Sequence, residues 1–214
     1  MSQDFKARLE RGFSELKLAT TPEQVEQLLA YHTLLIKWNK AYNLTAIRDP
    51  MEMIDRHLVD SLGIIDFLDD IKRLIDVGTG GGMPGIIIAI MRPEIHVTLL
   101  DSNGKKTRFL QQVVMSLKLS NAKVVQSRLE SFHVENEDLF DCITSRAFAT
   151  LQDMVDKSHT LLASSGQYLA MKGINPVDEI SQLPLGFKVN KVCPLSIPFA
   201  DGQRHLVSIV RDAS

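Results

Sequence analysis

An acidic residue followed by closely spaced glycines, Asp76-Val77-Gly78-Thr79-Gly80-Gly81-Gly82-Met83-Pro84-Gly85, stands between two apolar runs. Leu74-Ile75 before it reads as the end of a strand, and Ile86-Ile87-Ile88-Ala89-Ile90 after it reads as a buried helix. Glycines in such a turn allow φ above zero and let the backbone approach a bound group closely. A helix starting near Pro84 aims its free N–H groups back at the turn. Strand, glycine turn and helix in this order make a binding loop; a turn that merely connects the two elements is the plainer alternative.

Two cofactors suit such a loop. Gly80-Gly81-Gly82-Met83-Pro84-Gly85 satisfies the G-x-G-x-x-G pattern of dinucleotide enzymes, in which glycines press against a pyrophosphate. Read instead as Asp76-x-Gly78-x-Gly80-x-Gly82, the series fits S-adenosylmethionine, which carries no phosphate. A carboxylate at Asp76 attracts the ammonium of the methionine end and repels a pyrophosphate, which favours the second reading. His96-Val97-Thr98-Leu99-Leu100 then reads as a strand ending in Asp101, where a carboxylate can accept both ribose hydroxyls of either cofactor.

A chain of 214 residues with 44% hydrophobic content suffices for a full core plus an extension. No apolar run is long enough to span a membrane, and the N-terminus lacks the apolar core of a signal peptide, so a cytoplasmic protein is expected. Cys142 and Cys193 give no disulfide framework, and the six histidines lack metal-ligand spacing, so no metal is expected. A net charge of −2 argues against gripping nucleic acid by a broad basic surface. Charge is nevertheless uneven: Lys105, Lys106, Arg108, Lys118, Lys123 and Arg128 crowd one region beside the loop, as a solvated helix face or as phosphate contacts.

Residues 1–70 read as a helical extension and 71–214 as an α/β domain. Thr21-Pro22-Glu23-Gln24 is a helix start with a capping-box glutamine. Val25, Leu28, Leu29, Leu35, Ile36 and Trp38 recur at helical spacing. A further helix is predicted from Pro50 through Leu68. From Arg73 onward strands alternate with helices, the signature of a mostly parallel sheet covered on both faces. Strands are predicted near 73–77, 96–101, 122–126, 140–144, 166–172, 187–193 and 205–211. Pro194, Pro198, Asp201 and Gly202 exclude a long helix between the last two, which predicts an antiparallel hairpin at the sheet edge. Seven strands ending in such a hairpin is the usual arrangement of a Rossmann-like class I methyltransferase.

Ligands of open parallel sheets bind outside the carboxyl ends of the strands. Gly78 to Met83, Asp101, Ser127-Arg128-Leu129-Glu130, Ser145-Arg146-Ala147 and Lys172-Gly173 therefore share one rim. Leu129 and Glu130 fall beside the adenine position, and Arg146 where a methyl group would be transferred. The loop after the fourth predicted strand carries neither Asn-Pro-Pro nor Pro-Cys, which disfavours exocyclic amine and pyrimidine C5 methylation.

Asn43-Leu44-Thr45-Ala46-Ile47, Arg56-His57-x-x-Asp60-Ser61, the glycine loop, Ser145-Arg146-Ala147 and Lys172-Gly173 together resemble the GidB (RsmG) family of bacterial small-subunit ribosomal RNA methyltransferases. The resemblance covers nearly the whole chain. It implies methylation of guanine N7 in the 530 loop of 16S ribosomal RNA, at position 527 of that RNA, with S-adenosylmethionine as cofactor. It carries cofactor contacts to Gly78, Met83, Leu129, Glu130 and Arg146, beside Asp76, Gly80, Gly82 and Asp101 from the loop reading. Met83 stands where a larger apolar residue is common, and Leu129 where alanine or valine is usual.

Guanine N7 carries a free lone pair in the neutral base, so the implied reaction needs positioning rather than a general base. Arg146 bonded to N7 would occupy that lone pair, so it is expected to hold guanine O6, a phosphate or the cofactor carboxylate. N7 faces the deep groove of A-form RNA, so the target base must lie in a loop or leave its stack. Asn43, Arg56, His57 and Asp60 either fold over the rim to form the base pocket, or serve as helix caps and a packing histidine. Arg56, Lys105, Lys106, Arg108, Lys123, Arg128, Lys172 and Arg204 are candidate RNA contacts. The expected partner is 16S ribosomal RNA within a small-subunit particle, met by a monomer. A methyltransferase for small molecules or proteins, or a nucleotide-binding module without catalysis, would share the same loop.

Overall fold

The computed structural model describes residues 2–146, 148 and 150–212. Helices α1 (Ser2–Leu16) and α2 (Pro22–Tyr42) come first, followed by a continuous helical stretch. That stretch comprises α3 (Pro50–Met53), a π-helical segment Ile54–Val59 and α4 (Asp60–Leu62). Strands β1 (Arg73–Val77), β2 (His96–Asp101), β3 (Ala122–Gln126) and β4 (Phe140–Ser145) alternate with α5 (Gly85–Met91) and α6 (Gly104–Ser116). Then come α7 (Leu151–Ser158), β5 (Leu162–Lys172), α8 (Val177–Ile180), β6 (Phe187–Pro194) and β7 (His205–Arg211).

The seven strands form one sheet in the order β3-β2-β1-β4-β5-β7-β6. β1 to β5 are parallel; β7 runs antiparallel between β5 and β6, so the last two strands form the predicted edge hairpin. β5 begins earlier than predicted. Leu162 pairs with Phe140 before a register shift, and Ser164-Ser165-Gly166 belong to the strand although their composition reads as a turn.

Thr21 starts α2 as the sequence requires. Its hydroxyl accepts the Gln24 N–H at 3.2 Å, and its own N–H donates to the Gln24 side chain at 2.9 Å. The helix predicted over 50–68 is shorter and irregular. Its middle is π-helical, it stops at Gly63, and a 3-10 turn Ile65–Phe67 follows. Residues 57–62 are all buried, polar His57, Asp60 and Ser61 included, so this segment faces protein nearly all round. A π turn shifts side chains relative to α-helical spacing and is often found at functional sites. One continuous apolar core joins Leu9, Phe13, Leu28 and Leu35 of the N-terminal helices to Leu74, Ile86, Leu99 and Leu206 of the sheet layer.

Candidate active site

A cavity of about 560 Å³ opens above the carboxyl ends of β1, β2 and β3, lined by Gly78, Asp101, Ser102, Lys106, Leu129 and Glu130. Asp101 ends β2 and anchors two loops: its carboxylate accepts the Gly80 N–H at 2.9 Å and the Asn103 N–H at 2.8 Å. Each carboxylate oxygen keeps further lone pairs, which is what two neighbouring ribose hydroxyls require. Leu129 and Glu130 sit in a 3-10 turn Leu129–Ser131 on the cavity wall, the position predicted for adenine contacts. Gly80 turns with φ 61, a conformation that side chains rarely adopt.

Asp76 lies beneath the loop, fully buried. One carboxylate oxygen accepts the Thr79 hydroxyl at 2.6 Å and the Gly85 N–H at 2.8 Å, while the other has no hydrogen-bond partner among the described residues. Burial pushes its carboxyl up to about 7, against the hydrogen bonds from Thr79 and Gly85. Gly85 permits this contact, since a Cβ there would stand 2.8 Å from the same Asp76 oxygen. A buried acceptor without a donor suits a cationic ligand group. A cation there would draw the Asp76 carboxyl back to its ionised form, and the Asp101 carboxylate beside the loop disfavours a pyrophosphate.

A second cleft of about 240 Å³ shares Gly78 with the first and is lined by Thr45, His57, Gly80, Met83 and Arg146. His57 is bonded at both ring nitrogens. Nδ1 lies 3.1 Å from the Arg56 carbonyl, which only accepts, so Nδ1 carries the hydrogen. Nε2 then accepts from the Thr45 hydroxyl at 2.7 Å, and Thr45 in turn accepts the Ile47 N–H at 3.1 Å. Burial, with Arg146 adding to it, holds the imidazole at about 4, so it is neutral at pH 7. Asn43 is the left-handed C-cap of α2, with φ 50, and its exposed side chain meets Arg48 at 3.4 Å.

Arg146 follows β4 and is tied to the N-terminal helices. Its guanidinium donates to Ser61 Oγ at 3.3 Å and the Arg56 carbonyl at 3.4 Å, and pairs with Asp60 at 3.2 Å. The other Asp60 oxygen takes Arg204 Nε at 2.6 Å. Asp60 is therefore not a helix cap but a buried carboxylate clamped between two arginines. Lys172 at the end of β5 pairs with Glu179 at 2.8 Å. Ala147 of the Ser145-Arg146-Ala147 motif lies outside the described residues.

Among the basic residues, Lys105, Arg108, Lys118, Lys123 and Arg128 are exposed. Lys106 stands 3.9 Å from Asp101 on the cavity wall, and Arg128 lines the same cavity. Arg56 is exposed, with Glu52 at 3.9 Å. Two loop-holding residues escape the sequence reading. Tyr31 donates to the Gly81 carbonyl at 2.7 Å, and Asn39 brackets the 43–49 loop through Thr45 N–H at 2.9 Å and the Ile47 carbonyl at 3.0 Å. Their signal was available: a tyrosine and an asparagine on the apolar stripe of α2 need buried partners.

The model of the GidB family, described as rRNA small subunit methyltransferase G, matches residues 24–207. A relative from Pseudomonas aeruginosa (strain LESB58) named ribosomal RNA small subunit methyltransferase G is 50% identical over 213 residues, covering 100% of this chain and 99% of that one. A relative of the same name from Chromobacterium violaceum is 50% identical over 204 residues, covering 95% and 97%. Among solved structures, TrmN from Thermus thermophilus superposes with a TM-score of 0.58 at 16% identity, covering 72% of this chain and 48% of that one. The structural likeness establishes the class I methyltransferase fold. The family match and the full-length identity establish more: the chain belongs to the GidB family, rRNA small subunit methyltransferase G.

Proposed function

We propose that the chain transfers the methyl group of S-adenosylmethionine to N7 of a guanine in the 530 loop of 16S ribosomal RNA. It acts in the cytoplasm, as a monomer, on a small-subunit particle. Asp101 holds the ribose hydroxyls, the 129–130 turn flanks the adenine, and Asp76, beneath the glycine loop, supplies negative charge under the cationic methionine end. When bound, the cofactor would supply a sulfonium-activated methyl carbon, and as the N7–carbon bond formed and the carbon–sulfur bond broke, the positive charge would pass from sulfur to the methylated base.

The observation that carries the reading is the state of the polar groups at the junction of the clefts. His57 is neutral and hydrogen-bonded at both ring nitrogens, so it is not poised to take a proton. Arg146 is immobilised by Asp60, Ser61 and Arg56. Such a site orients an acceptor without deprotonating it, which suits a base nitrogen whose lone pair is already free. The modest charge of the chain favours a preformed RNA shape over naked RNA. The test is methyl transfer from labelled S-adenosylmethionine to small subunits lacking the modification, with the labelled nucleotide identified by mass. Label on N7 of one 16S guanine is the expected result; label elsewhere, or none, overturns the proposal.

A further inference from the structure

A third cleft, of about 230 Å³, lies on the far side of Arg146 from the glycine loop. Arg146 lines both it and the second cleft, so the three cavities are linked, at Gly78 and then at Arg146. Met171, Leu195 and Ile197 give the third cleft an apolar wall, and Asp60, Arg146 and Arg204 a polar one.

We propose that this third cleft receives the extruded target guanine, and that Asp60 is the positioning residue that fixes the arginines on its polar wall. The assignment rests on the guanine-methyltransferase reading above. With adenosine in the first cavity and the methionine end over the glycine loop, the third cleft, which meets the second at Arg146, stays open to the acceptor. An apolar wall suits the face of a purine, as in other sites that bind extruded bases. Arg146 spends three of its five N–H groups on Ser61, Arg56 and Asp60, which leaves donors for guanine O6. Two guanidinium groups against one carboxylate leave the polar wall with a net positive charge, matched to the phosphates flanking a flipped nucleotide. Lys172 adds none, because Glu179 pairs with it.

Gly173 offers a clean test, because it lines the cleft and a Cβ added there meets no atom of the described residues within 4 Å. Gly173→Ala, Gly173→Leu and Gly173→Trp should fold and bind S-adenosylmethionine like the parent, measured by thermal midpoint and calorimetry. Transfer to unmethylated small subunits should fall with side-chain size, with kcat/KM lower by about tenfold or more for the tryptophan variant. Equal transfer across the series overturns the assignment. Wild-type label on a base other than guanine overturns the parent reading instead, and the series then decides whether the cleft takes that base. For Asp60, the expectation is that Asp60→Asn lowers kcat while the affinity for S-adenosylmethionine is unchanged. An unchanged kcat overturns the positioning role.

Discussion

The hydroxyl of Tyr31, midway along α2, donates to the carbonyl of Gly81 at 2.7 Å. Both residues are buried, so a helix from outside the sheet sets the height of the glycine turn. Tyr31→Phe keeps the ring and removes the donor, leaving a buried carbonyl unpaired at a cost of about 1–3 kcal/mol. The expected outcome is weaker binding of S-adenosylmethionine, measured by calorimetry, with little change in turnover at saturating cofactor.

His57 predicts a pH effect on stability. Its imidazole sits at about 4 in the folded chain, below an ordinary 6.5, so between these values the unfolded state binds the extra proton. Its contribution is present above pH 6.5 and is lost as pH falls towards 4, amounting to at most about 3 kcal/mol. Asp76, raised from 3.8 to about 7, works in the opposite sense, stabilising least at high pH. The two therefore oppose each other in the wild type. The difference in denaturation midpoint between His57→Gln and wild type isolates the histidine, and it should shift in favour of the variant as pH drops from 6.5 to 4.

Gly85 and Asp76 predict a steric effect. A methyl group at Gly85 would press on the Leu99 side chain and on the carboxylate of Asp76. Gly85→Ala should cost about 1–3 kcal/mol, read as a lower unfolding midpoint, and should weaken cofactor binding along with it.

For the exposed cations, Arg108→Ala and Arg128→Ala should each weaken binding to small-subunit RNA regardless of the target base. Each should also flatten the salt dependence by about one unit of slope per lost phosphate contact. Filter binding at several salt concentrations measures both. An unchanged slope would mark the residue as solvated surface.

The seven strands were legible as apolar or alternating runs bounded by turn residues, except for the start of β5, where Ser164-Ser165-Gly166 read as a turn, and the capping box located α2. The π-helical segment was not, because hydrophobic periodicity assumes one repeat throughout, whereas residues 54–59 shift it. Gly80, Asp101 and Arg146 could be placed on one rim because strand order alone dictates which loops meet there. The clamp on Asp60 was hidden, since its partners lie 86 and 144 positions away along the chain. Asn43 illustrates an ambiguity of composition: asparagine suits a left-handed cap as well as a polar site, and here it caps α2.

The core shared by the N-terminal helices and the sheet also governs how the molecule opens. Because Leu28 and Leu35 of α2 sit in the same apolar cluster as Leu74 and Leu99, the helices cannot detach without exposing the sheet's own face. Backbone amides of α2 should therefore exchange with solvent as slowly as those of β1. Ligand binding at the glycine turn should slow them further, through the tie between Tyr31 and Gly81. A protease would find no separable N-terminal fragment to release.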